Sequence, residues 1–193
     1  MWNLAFLPGL LSLLVSFNYV TKPNELQILR DSILDESNDY FCLDLEAENQ
    51  MNHYHTRICL MQFKVGDQIT IVDPQSPQLK KSNHLKELFI DISEHKKTLL
   101  MHGCDYDLRL LSEFYSFIPY KIFDTMIGAT VLNYEKKGLG ALVENEFNVK
   151  LDKKFQKANW NTRPLSQEML QYAAIDVIYL ERLKEIMVKV CVV

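Results

Sequence analysis

The stretch Phe41-Cys42-Leu43-Asp44-Leu45-Glu46-Ala47-Glu48 places acids at alternate positions, 44, 46 and 48. A strand sends alternate side chains to opposite faces. Asp44, Glu46 and Glu48 would then share one face, and Phe41, Leu43 and Leu45 the other. Like charges side by side repel. Two readings fit: an amphipathic strand with a wet acidic face, or a site for a divalent cation. Two later segments carry candidate chemistry of their own. In QYAAIDVIYL, Tyr172 and Asp176 stand four apart on one helical face, beside an apolar stripe of Ala173, Ala174, Val177 and Leu180. Taken alone, that pair reads as the solvated face of a packed helix. In HGCDYDLRLL, Asp105 and Asp107 fall in the first turn of a helix that begins near Cys104. The helix macrodipole favours carboxylates there. Capping accounts for one aspartate and leaves the other available.

These residues need elements to bring them together. TKPNELQILRDSILDE has Leu26, Ile28, Leu29 and Ile33 near helical spacing, and Ser37-Asn38-Asp39 ends that helix. FCLDLE, RICLMQFKV and QITIVDP read as strands. The tight Gly66-Asp67 turn makes the second and third antiparallel neighbours. Leu85, Leu88, Phe89 and Ile92 mark a helix, TLLMHG a buried strand, DYDLRLLSEFY a helix and KIFDT a short strand. TMIGATVLNY and LGALVENEF are further helices. SQEMLQYAAIDVIYLERLKEIMVKV reads as one long final helix, with Ser166 as N-cap and Leu165 and Leu170 as its hydrophobic staple. There are no repeats, low-complexity segments or interdomain linker. The order implies one α/β domain with a mixed sheet.

The chain has 193 residues, 48% apolar and 24% charged, which is a globular mixture with enough length for a proper core. A net charge of −4 argues against coating nucleic acid through bulk charge. It leaves room for an enzyme that grips a few phosphates through metal ions. Cys42, Cys59, Cys104 and Cys191 form no CxxC pair, which favours buried thiols in a reducing, cytoplasmic compartment. Residues 1–18 form an apolar extension, and residues 19–193 the domain. MWNLAFLPGLLSLLVSF is too short for a comfortable span, is broken by Pro8-Gly9, and lacks the basic residues and cleavage site of a signal peptide. An extension packed on the domain is favoured over a membrane or export role, and no stable membrane association is expected.

FCLDLEAE, HGCDYDLRLL and YAAID resemble, in order and spacing, the three exonuclease motifs of the ribonuclease D-like 3′–5′ exonucleases of the DEDD group. The first motif falls on Asp44 and Glu46, the second on Asp107 rather than Asp105. The third, a tyrosine four residues before an aspartate, falls on Tyr172 and Asp176 and indicates the tyrosine branch. RICLMQF, QITIVDP, IFDTMIGATVL and ANWNTRPLSQEMLQYAAID resemble intervening segments, with Asn159 where an aspartate is common. The likeness runs from about Tyr19 to about Met187.

The resemblance implies a ribonuclease H-like fold, a mixed sheet of about five strands flanked by helices, that gathers these acids at one cleft. It implies two divalent cations, Mg²⁺ or Mn²⁺, roughly 4 Å apart, held by Asp44, Glu46, Asp107 and Asp176. Asp44 would bridge both ions. Glu46 and Asp176 would help hold the ion that activates water, Asp107 the other, and Tyr172 would orient the attacking water. An ordinary tyrosine titrates near about 10 and is a poor base at neutral pH. The implied activity is hydrolysis at single-stranded RNA 3′ ends, releasing nucleoside 5′-monophosphates. The alternatives are a DNA 3′–5′ exonuclease of the proofreading or Werner type, and a catalytically silent nucleic-acid-binding or partner-docking module. Ribonuclease D carries helical domains after its exonuclease domain, whereas this sequence stops soon after the final helix. That departure implies weaker binding, a simpler substrate range, or reliance on a dimer or an accessory RNA-binding partner.

Other candidates have plainer readings. His53 and His55 belong to an exposed loop, and His102 is a satisfied structural histidine near the cleft. Glu48 is a rim residue, and Asp73 and Asp124 serve as turns or caps. Lys136, Lys137, Lys150, Lys153, Lys154, Lys157 and Arg163 form either a phosphate-contacting rim or a solvated basic face. Phe155 and Trp160 could stack on bases, although core anchoring suits Trp160 better.

Overall fold

The structure, a computed structural model, describes residues 14–48 and 56–191. Residues 1–13 of the apolar extension and the loop of His53 and His55 lie outside the described residues. Among the described residues, no helix is long and apolar enough to cross a membrane.

A six-stranded sheet runs through the molecule in the order β1-β4-β3-β2-β5-β6. Its strands are β1 (Asn18–Val20), β2 (Tyr40–Glu48), β3 (Arg57–Val65), β4 (Gln68–Val72), β5 (Thr98–Met101) and β6 (Lys121–Asp124). The five strands legible in the sequence are joined by β1, three residues that the hydropathy pattern does not distinguish from the apolar segment before them. β2, β3 and β4 are antiparallel, while β1–β4, β2–β5 and β5–β6 are parallel. The turn between β3 and β4 uses Gly66 at φ +53°, a conformation that glycine adopts without steric cost.

Alternation along β2 sorts its side chains between two cores. Phe41, Leu43 and Leu45 join Met61 and Phe63 on one face, covered by α1 (Leu26–Leu34), α3 (His84–Glu94) and α4 (Asp105–Tyr115). Burying one such side chain contributes about 1.5–3 kcal/mol, so a register slip that exchanged the faces would be costly. The other face carries Cys42, Leu60 and Ile71, packed against Trp160 and α7 (Gln167–Asp176). A short helix, α2 (Pro77–Lys80), follows β4. A third cluster joins α5 (Thr125–Val131), α6 (Leu139–Phe147) and α8 (Leu180–Cys191) through Ala129, Leu142, Val143, Leu183 and Met187.

The expected long final helix is broken in two, because α7 ends at Asp176 and α8 starts at Leu180. Ile175, Asp176, Val177, Ile178 and Tyr179 are a run of weak helix formers, three of them β-branched. Ser166 caps α7 as expected, accepting a hydrogen bond from the Met169 amide at 3.2 Å. Leu165 and Leu170 pack into the same cluster.

Candidate active site

β2 is a central strand, but its two neighbours do not run its full length. β5 pairs with Tyr40–Cys42 and stops at Met101. Asp44 and Glu46 therefore lie beyond the end of β5, where the chain turns into α4. On the other side β3 carries a bulge: Glu46 faces Leu60 and Ala47 faces Ile58, leaving Cys59 as the extra residue. Bulges of this kind often sit beside functional sites, where they re-aim side chains.

Three of the sequence-predicted acids meet here. Asp44, Glu46 and Asp176 each present a carboxylate oxygen, all within 4.8 Å of one another. Asp107, in the first turn of α4, is outside that trio but near enough for its charge to act on Glu46 and for Asp44 to act on it. The sequence left Asp105 and Asp107 both available, and the fold separates them. Asp105 points outward and pairs with Arg109 one turn on, whereas Asp107 is half-buried. Glu48 is not part of the trio, and in the sheet register it stands across from Arg57.

Burial and mutual repulsion oppose the ionisation of these acids. Burial, then the Asp176 charge, pushes Asp44 well above the carboxylate range. Glu46 rises to about 9 through burial and then the charges of Asp44, Asp176 and Asp107. Asp107 rises to about 8 through burial and then Asp44. Burial raises Asp176 as well, and its place at the last residue of α7 sets it at the negative end of that helix dipole. Among the described residues, no ion pair reaches any of these four carboxylates. Clustered carboxylate oxygens without a protein cation suit a hard divalent ion such as Mg²⁺ or Mn²⁺.

Tyr172 stands one turn before Asp176. Its ring packs against Phe155 at 5.8 Å, edge to face, and Trp160 at 6.1 Å. Burial first, then Asp176, Glu46 and Asp44, raise its phenol above the ordinary tyrosine value. Phe155 and Trp160 thus brace the tyrosine rather than offer faces for bases; Trp160 is buried and Phe155 half-buried.

The supporting residues were the least legible in the sequence. Asp124 is more than a cap for α5. Its carboxylate accepts hydrogen bonds from Met126 N at 2.7 Å, and also from Gly103 N and Cys104 N at 2.9 Å each. It so clamps the turn that delivers α4 and Asp107. Burial opposes its ionisation, but the backbone donors of Cys104, Gly103 and Met126 outweigh that and hold its pKa below the usual value. Asp73 is likewise more than a turn residue. Arg163 grips it through Nε at 2.7 Å and Nη2 at 2.8 Å. Arg163 also donates to the carbonyls of Cys59 and Trp160 at 2.7 Å, fastening the segment before α7 to the sheet. It therefore belongs neither to a phosphate rim nor to a solvated face. Lys136, Lys137, Lys150, Lys153, Lys154 and Lys157 are exposed, with Lys154 paired to Glu168 at 2.6 Å. His102 is only half satisfied: Nδ1 meets Thr125 Oγ1 at 2.9 Å, and the buried Nε2 has no partner. Of the expected extension, Val15 exchanges hydrogen bonds with the Gln171 side chain at 2.8 and 2.9 Å, on α7 itself.

Comparison with known proteins places this arrangement. A family model described as 3′–5′ exonuclease matches residues 17–191. Protein RRP6-like 2 of Arabidopsis thaliana is 33% identical over 85% of this chain and 18% of its own length. Ribonuclease D of Zymomonas mobilis is 30% identical over 78% of this chain and 38% of its own. The catalytic core of RRP6 from Trypanosoma brucei superposes with a TM-score of 0.77 at 28% identity, covering 92% of this chain and 47% of that one. The chain spans less than half the length of each of these relatives.

Proposed function

The chain belongs to the 3′–5′ exonuclease family and is ribonuclease D-like, and from that membership we propose that it removes nucleotides from the 3′ ends of single-stranded RNA. The products are nucleoside 5′-monophosphates. One observation carries the reading: Asp44 and Glu46 on β2 and Asp176, far along the chain at the end of α7, bring carboxylate oxygens within 4.8 Å of one another, with no cationic side chain paired to them among the described residues. RNA is favoured over DNA because several relatives at 28–32% identity are named ribonuclease D, set against one DNA polymerase I at 30%.

Two divalent cations held by Asp44, Glu46, Asp107 and Asp176 would supply the charge that makes water nucleophilic and stabilises a departing 3′ oxygen. Asp44 would serve both ions, Glu46 and Asp176 would help hold the one that activates water, and Asp107 would hold the other. Tyr172, protonated at neutral pH, orients the attacking water by hydrogen bonding rather than by taking its proton. Phe155 and Trp160 fix the angle of its ring. The exonuclease domain occupies 19–193, with 1–18 as an appended segment. A dimer or an accessory RNA-binding partner would extend the grip on RNA beyond this cleft.

The test uses matched RNA and DNA strands, labelled at either end, with Mg²⁺ or Mn²⁺ added. A 5′-labelled RNA ladder that shortens from the 3′ end is the expected result. Cleavage at internal positions would sink the exonuclease reading, and equal digestion of DNA would remove the preference for RNA.

A further inference from the structure

Gln62 sits in the middle of β3 with no exposed surface, and neither its amide nitrogen nor its amide oxygen has a hydrogen-bond partner. Each such orphaned group costs about 1–3 kcal/mol. A methionine of similar shape would avoid that cost, so stability does not explain the glutamine. Its location does. In the antiparallel register Gln62 stands directly opposite Asp44, with Ile71 opposite it on the other side. Its side chain therefore leaves the sheet on the face that carries Asp44. Directly opposed side chains have Cβ atoms roughly 4.5–5.5 Å apart, and a glutamine amide can reach a carboxylate across that gap.

The Leu45 backbone N–H favours the charged form of Asp44, but the side chains packed around Gln62 on this face add no donor. Cys42, Leu60, Ile71, Ala173 and Ala174 form an apolar cluster. The ammonium of Lys64, two residues along β3, is engaged by the Gly66 carbonyl at 2.6 Å and by Glu181. An ionised carboxylate accepts hydrogen bonds and donates none, so holding its orientation calls for a donor. A lysine or arginine at position 62 would donate, but would also neutralise the cluster and compete with a cation for it. A carboxamide donates without adding charge.

Building on the reading of the acids as a cation site, we propose that Gln62 is a positioning residue for Asp44, its amide N–H donating to the Asp44 carboxylate when a cation occupies the cluster. Residues that orient metal ligands from behind typically change metal affinity by about 10–100-fold when removed.

The experiment compares wild type, Gln62→Met, Gln62→Leu and Asp44→Asn for Mn²⁺ affinity by titration calorimetry and for thermal stability without metal. Both apolar variants should melt at or above the wild-type temperature without metal, and should bind Mn²⁺ about tenfold more weakly or worse. If wild type binds Mn²⁺, Asp44→Asn abolishes it and the Gln62 variants bind as tightly as wild type, the role of Gln62 is refuted and the cation site stands. If wild type shows no Mn²⁺ binding that depends on Asp44, the cation-site reading itself falls, and this proposal with it. Failure of both apolar variants to fold also refutes the proposal, because it would make Gln62 a packing residue.

Discussion

Asp44 on β2, half-buried, and Asp73 just past the end of β4, buried, are both acids of the antiparallel part of the molecule, and the fold treats them in opposite ways. Asp73, just past β4 and 2% exposed, is gripped by both forks of Arg163, by the Tyr19 hydroxyl at 3.0 Å and by the Gln75 amide at 2.9 Å. Asp44 has two other carboxylates close by and, among the described residues, no cationic side chain paired with it. Asp124 belongs with Asp73, since backbone N–H groups hold its charge in place. The same chain therefore satisfies a buried acid thoroughly where the acid is structural. It leaves the clustered acids without such partners, as the proposed cation site requires.

The largest effect that tests this contrast is Asp44→Asn. It should lower exonuclease activity by on the order of 10³-fold, the upper range for losing one strong electrostatic contact to a transition state. Metal-free stability should hold or rise, because an acid whose ionisation burial opposes is gone. Loss of activity together with loss of stability would place Asp44 in the Asp73 class. Next is Arg163→Met, which strands Asp73 as a buried unpaired charge and should cost about 3 kcal/mol in denaturant unfolding. Adding Asp73→Asn should recover part of that, and strict additivity of the two would break the pairing argument.

The two classes of acid should also separate by pH. Glu46 and Asp107 have folded-state values raised to about 9 and about 8. Their stabilising contribution is complete below the ordinary carboxylate value and is lost as pH rises toward 9. The metal-free melting temperature should therefore fall between pH 5 and pH 9, by about 2–4 °C for each kcal/mol at this chain length, and added Mn²⁺ should flatten the fall. Asp124 has a lowered value, so its contribution is present above the ordinary value and is lost on acidification. Asp124→Asn should soften the acid limb alone and Asp44→Asn the alkaline limb alone, as read from melts across pH. The smallest effect is Lys154→Ala. Its pair with Glu168 is exposed on both sides and should leave the melting temperature unchanged, since surface ion pairs contribute little.

Much of this was legible in the sequence where the signal is local. Alternation in FCLDLEAE gave β2 and its two faces. The first-turn position of Asp105 and Asp107 placed both near a helix start, and Ser166 marked the beginning of α7. The helix break after Asp176 was hidden because Val177, Leu180 and Leu183 continue the apolar pattern across it. β1 was hidden because three residues carry too little pattern. Arg163 looked like one of a basic group, since nothing near it in the chain announces a partner at position 73.

By itself, then, the sequence determined most of the elements, the identity of the acids and the family they resemble, because side-chain period and motif spacing are properties of neighbouring residues. Tertiary structure decided which acids meet and which are answered. Whether Asp107 or Asp105 turns inward, whether Arg163 faces solvent or Asp73, and whether Gln62 stands beside Asp44 all depend on register and packing between segments far apart in the chain. Coulombic and desolvation energies follow distance in space, and distance in space is what the fold sets.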